Sequence, residues 1–202
     1  MKFYMKNQHD GGERMKWENL HKDIMLSPAG MGIVFYSDAA VKDIPIGEDF
    51  LEKEYWKPEH VAAHLNRGDI VAICTGCDAD TFELRFRSGK PDKELAEKYP
   101  AHERIAIEVM GSTINVIDLY ELMDWQNDCP KEQQISLEPG FYTMTFLSGP
   151  PASEMEQILS DEEFDNWIDQ PRVIYVFIDK VKAMPERKYK GVPYLYWAYD
   201  KE

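Results

Sequence analysis

Phe82, Leu84 and Phe86 alternate with Glu83, Arg85 and Arg87. A period of two admits one regular structure, a strand with one face in a core and the other at water. The pattern returns over Arg104–Met110, where Ile105, Ile107 and Val109 share a face. A chain carrying several such segments has to close sheets over a core and cannot be a helical bundle. Met31–Ser37 (MGIVFYS) and Asp69–Thr75 (DIVAICT) are short, apolar and partly β-branched, which also favours strands. Gly111-Ser112 suits a two-residue hairpin turn leading into Thr113–Leu119. Pro139-Gly140 fits a type II turn, which would make a second hairpin of Gln134–Leu137 and Phe141–Leu147. Arg172–Val181 (RVIYVFIDKV) reads as the last strong strand.

Helices are fewer. Pro58 at a first helical position and Gly68 just past the end frame one helix, with Val61 and Leu65 as its apolar stripe and Trp56 packing at its entrance. A second, acidic helix is expected over about 154–169, opened by a capping box of Ser153 with Glu156 or Ser160 with Glu163. Met155, Ile158, Leu159, Phe164, Trp167 and Ile168 would give it a buried side, with a break near Ser160. Residues 1–30, interrupted at Gly11-Gly12 and Pro28-Ala29-Gly30, read as an irregular arm with one helical turn, and 31–202 as a single domain. The expected fold is mainly β: a two-sheet antiparallel β-sandwich of about eight strands with two helices. At 202 residues such a domain buries enough surface to need no disulfide or metal staple.

Charge narrows the function. With 37 Asp+Glu against 23 Lys+Arg the net charge is −14, which argues against holding nucleic acid directly, since phosphate contacts need lysine and arginine. The acid is local. Between Asp118 and Asp169 there are thirteen acids and one base, Lys131, so this stretch carries −12 of the total. Clustered like charge costs stability by self-repulsion, and a carboxylate surface speeds capture of a basic protein. Asp118, Glu121, Asp124, Asp128, Glu156, Asp161, Glu162, Glu163, Asp165 and Asp169 are therefore the candidate partner-binding residues. The competing explanation is a solvated acidic face that serves solubility alone.

Signals for chemistry are sparse. Cys74-Thr-Gly-Cys77 could grip a metal or cycle as a dithiol, but no second pair completes a zinc site, and the first cysteine ends a strand where a redox site would want a helix start. His60 and His64 share a helix face at i, i+4, yet Val61 stands where a zinc protease needs glutamate, and surface histidines beside Glu59 explain the spacing. No nucleophile elbow, P-loop or dinucleotide fingerprint occurs, and no catalytic residue or cofactor is assigned. Tyr189, Tyr194, Tyr196, Trp197 and Tyr199 crowd the C-terminus as core packing or as an interface anchor. No apolar run approaches the roughly eighteen residues of a membrane helix, and the first residues lack the apolar stretch of a signal peptide. Three cysteines, an odd number, fit a reducing cytoplasm.

From Gly32 to Pro150 the chain resembles the competence protein J family, whose known member inhibits a DNA-entry nuclease. The likeness runs through GIVFYSD, Trp56-Lys-Pro-Glu-His-Val, Asn66-Arg-Gly-Asp-Ile-Val, Phe82-Glu-Leu-Arg-Phe, Arg104-Ile-Ala-Ile-Glu-Val-Met and Ile135-Ser-Leu-Glu-Pro-Gly-Phe-Tyr-Thr-Met-Thr-Phe. The resemblance implies a β-sandwich that binds and silences a nuclease or toxin, and it carries over no functional residue. The sequence therefore favours a non-catalytic inhibitor or immunity-type partner of a basic enzyme. An enzyme using Cys74, Cys77, His60 or His64 is the first alternative, and a small-ligand pocket between the sheets the second.

Overall fold

The computed structural model describes residues 17–75, 81–99, 101–150 and 152–195. In chain order its elements are β1 (His21–Leu26), β2 (Gly32–Ser37), α1 (Pro58–Arg67), β3 (Ile70–Cys74), β4 (Phe82–Ser88), α2 (Lys93–Lys98), β5 (Ala101–Val109), β6 (Thr113–Asp118), β7 (Gln134–Ser136), β8 (Gly140–Ser148), α3 (Ala152–Ile158), α4 (Asp161–Ile168) and β9 (Arg172–Val181). Among the described residues nine strands form a five-stranded sheet, β1-β4-β9-β8-β5, and a four-stranded sheet, β3-β2-β6-β7. Every pairing is antiparallel except β4 with β9.

The alternation in β4 puts Phe82, Leu84 and Phe86 in the core, and β5 does the same with Ile105, Ile107 and Val109. Phe35 of β2 crosses from the four-stranded sheet to meet Phe86 and Phe146 of the other, ring centroids 6.5 and 5.4 Å apart. Apolar side chains fill the space between the sheets. All six residues of β2 are buried, because α1 and the loop after β6 cover the outer face of its sheet. A strand covered on both sides reads as an apolar run, which is how Met31–Ser37 looked in sequence.

Four expectations need correction. His21–Leu26, placed in an irregular arm, is an edge strand that pairs with β4 from His21 opposite Arg87 to Leu26 opposite Phe82. Trp17–Asn19 does make the one helical turn. Neither proposed hairpin forms: β5 and β6 lie in different sheets, as do β7 and β8, so Gly111-Ser112 and Pro139-Gly140 turn the chain from one sheet to the other. A turn sequence fixes a reversal of direction, and the hydrophobic partner available to each strand decides which sheet it joins. The acidic segment does break at Ser160, where the expected capping box with Glu163 starts α4, but its apolar side is only half-buried at Met155, Leu159, Phe164 and Trp167, Ile158 is 66% exposed, Ile168 is exposed, and α4 has no buried residue. Trp56, expected to pack at the entrance of α1, is 70% exposed.

Strand directions place the acid-rich connections. The short link 27–31 joins the end of β1 to the start of β2, so these lie at one end of the sandwich. β6 ends there, with Asp118 opposite Ile33, and so do the start of β4 opposite Leu26 and the start of β9, Arg172, beside Phe82. Antiparallel pairing of β8 with β9 brings Ser148 to the same end. The connections β6→β7 and β8→β9, which carry most of the thirteen acids, therefore both leave from this end.

Candidate functional site

The β6→β7 connection opens with a tight helical turn over 119–123 that Asp118 organises. Its carboxylate accepts the backbone N–H groups of Gly30 and Tyr120, both at 3.2 Å, while Glu121 accepts the N–H of Asp118 at 3.1 Å. Asp118 is consequently buried and holds the turn; it does not face solvent. Trp125 anchors the next residues by packing edge-on against Tyr36 at 5.3 Å, and its backbone bonds both Glu48 and Gly47. Glu121, Asp124 and Asp128 are brought together around a cavity of about 100 Å³ with Trp125 and Cys129. Burial raises the Glu121 carboxyl, opposed by the Asp118 N–H and reinforced by the charges of Asp118 and Asp128. Burial likewise pushes the Cys129 thiol to about 11, so it is a poor nucleophile.

In the β8→β9 connection the carboxylate of Glu163 accepts both the backbone N–H and the hydroxyl of Ser160, which starts α4. These bonds hold the Glu163 carboxyl below its ordinary value. Phe164 stacks on Trp167 at 5.8 Å, and the guanidinium of Arg172 lies 3.4 Å over the Trp167 ring while donating to its carbonyl. One cation–π contact thus ties α4 to the sheet. Glu156, Asp161, Glu162, Asp165 and Asp169 are exposed.

The two histidines of α1 do not act as a pair. His60 Nδ1 meets the carbonyl of Lys53 at 3.2 Å near the surface. His64, expected at the surface, is 6% exposed, its ring between Phe50 and Tyr55 and its Nδ1 2.8 Å from Asp69 Oδ1. Cys74 ends β3, where its backbone bonds Pro193 and Leu195. Cys77 lies outside the described residues, as do Tyr196, Trp197 and Tyr199. Among the described residues no group of three or more His, Cys, Asp or Glu is arranged to hold a metal ion. No helix among them is long and apolar enough to cross a membrane.

Two pockets lie outside the sheets and not between them, where the small-ligand reading placed one. A groove of about 300 Å³ is lined by Met31, Trp56, Tyr120, Val192 and Tyr194, with Tyr120 48% and Tyr194 53% exposed. It opens at the acid-rich end, since Gly32 and Leu119 form part of its floor. Sequence reasoning did not assemble it, because its walls come from six separated segments. A second pocket of about 300 Å³ is lined by His64, Glu48, Lys53, Glu54 and Phe50.

The architecture is that of a mainly β, two-sheet sandwich with helical additions. Among solved structures the chain is similar to ComJ, inhibitor of the DNA degrading activity of NucA, from Bacillus subtilis, at 14% identity and a TM-score of 0.45 over 81% of this chain and 98% of that one. It is also similar to the product of crocagin biosynthetic gene J, at 16% identity and a TM-score of 0.46 over 84% of this chain and 99% of that one. No protein-family model matches the sequence, and no curated protein matches it.

Proposed function

We propose that the chain is a non-catalytic binding protein that masks a basic enzyme through its acid-rich end. The nuclease is the enzyme class that the sequence resemblance to the competence protein J family implies. The observation that supports this reading best is topological: the connections bearing Glu121, Asp124 and Asp128 and bearing Glu156, Asp161, Glu162, Asp165 and Asp169 leave the same end of the sandwich. Carboxylates there would compete with DNA phosphate for the lysines and arginines of a nuclease. The groove of Trp56, Tyr120 and Tyr194 supplies exposed aromatic surface beside them, the residue type that anchors protein interfaces.

The test is inhibition of DNA cleavage by a basic nuclease titrated with the full chain at several salt concentrations. Inhibition should weaken steeply as NaCl rises and fall further for the triple variant Glu121→Lys, Asp124→Lys, Asp128→Lys. Equal inhibition at low and high salt, or by wild type and variant, would remove the electrostatic basis of the proposal.

A further inference from the structure

The two helices of the β8→β9 connection repeat one pattern. Met155, Ile158 and Leu159 along the first and Phe164, Trp167 and Ile168 along the second stand at i, i+3 and i+4, so each set lies on one side of its helix. The helical path runs on to Leu159, whose N–H donates to the Met155 carbonyl at 2.9 Å. At about 100° per residue, Glu154 and Glu156 fall to either side of Met155, and Glu163 and Asp165 to either side of Phe164. Each helix therefore carries an apolar stripe between two rims of carboxylate.

Such a stripe ordinarily faces a core. Here it reaches none. No residue from 154 to 170 is buried, and Ile158 and Ile168 are 66% and 45% exposed. Among the described residues α3 packs chiefly on α4, and Arg172 ties the pair to the sheet through the Trp167 ring. Helices of seven and eight residues are too short to persist unaided. The capping box of Ser160 with Glu163 and the stack of Phe164 on Trp167 hold α4 in shape with its stripe outside. Exposed apolar surface rimmed by charge is the mark of a docking face.

Charge selects the occupant. From 152 to 169 there are seven acids and no lysine or arginine. Arg172, the next base along the chain, is 8% exposed with its guanidinium 3.4 Å over the Trp167 ring. A second copy of the chain would set seven acids against seven, and an anionic lipid surface would be repelled in the same way. We propose that the face of α3 and α4 seats an amphipathic basic helix of another protein. Its apolar side chains would lie on Ile158, Phe164, Trp167 and Ile168, and its lysines and arginines against the carboxylate rims. That this helix belongs to the masked enzyme rests on the proposed function.

The experiment titrates the full chain into a fluorescently labelled amphipathic peptide of about eighteen residues, Leu and Lys set in helical period. Fluorescence anisotropy reads affinity, and the isoleucine δ1-methyl 1H–13C spectrum reads where the peptide sits. Saturable binding with shifts at Ile158 and Ile168 is expected. Affinity should fall about tenfold or more for a peptide of the same composition in scrambled order, and as far for the double variant Ile158→Ser, Ile168→Ser. Both isoleucines are exposed, so the variant keeps its fold. Equal affinity for the scrambled peptide or for the variant, or binding that leaves both methyls unmoved, overturns the proposal. So do shifts of the same methyls when the chain alone is concentrated or when phosphatidylcholine vesicles are added, since these would seat a second copy or a lipid surface there. Peptide binding without inhibition of a nuclease strikes only the proposed function, and inhibition without peptide binding strikes only this face.

Discussion

At the scale of single residues, Asp69 shows how one carboxylate supports a buried histidine. Its folded-state titration lies below the ordinary value of 3.8, so the stability it supplies is complete above that value and is lost as pH falls through the lowered one. Asp69→Asn should therefore cost about 2 kcal/mol near neutral pH, and the gap between the two proteins should close as the pH drops from about 5 to about 2. Urea midpoints across that range measure it; a gap constant with pH would mean that Asp69 acts through packing and not charge. His64 itself was legible in principle. It stands three residues after Val61 and one before Leu65, on the apolar stripe of α1, and the aspartate that holds it is five residues on. Reading the i, i+4 relation to His60 as the signal hid the stronger i, i+3 relation to Val61.

At the scale of elements, local patterns foretold what the backbone does and missed what it pairs with. The helix framed by Pro58 and Gly68 forms with those bounds, and Gly68 closes it at φ +73°, donating its N–H to His64 O at 2.7 Å. A side chain there would adopt the left-handed conformation at a cost and would meet the end of Met184. Gly68→Ala should lower stability by about 1 kcal/mol, read as a lower urea midpoint with unchanged slope. The strands β4 and β5 were equally plain, because two-residue periodicity is a property of the segment itself, and β9 was plain as an apolar, β-branched run. Gly111-Ser112 and Pro139-Gly140 misled because a turn that reverses the chain within one sheet and a turn that carries it across a sandwich use the same residue types. β1 escaped notice for a different reason. Its buried pair, Ile24 and Leu26, is interrupted by exposed Met25, so the apolar count disguised the alternation. The apolar side of α3 and α4 was read from its composition as core, yet composition cannot tell a face turned inward from one left outside.

At the scale of the whole molecule, the charge balance governs behaviour in solution. A net charge of −14 on 202 residues, most of it in two connections at one end, makes the folded state repel itself. Raising NaCl from about 20 mM to about 500 mM shortens the screening length several-fold, so the melting temperature should rise with salt. Neutralising α4 with Asp161→Asn, Glu162→Gln and Asp165→Asn should flatten that rise. Calorimetry of both proteins decides it: a melting temperature indifferent to salt would mean that the carboxylates are too far apart to sense one another.

The position of β9 bears on how the protein is made. Although it follows every other strand among the described residues, it lies in the middle of its sheet, with β4 on one side and β8 on the other. Until Val181 has left the ribosome, β1 and β4 on one flank and β5 and β8 on the other have no plank between them, and each half offers an unpaired edge to any neighbour. Slow arrival of that last plank leaves the half-made sheet open to pairing with a sibling copy.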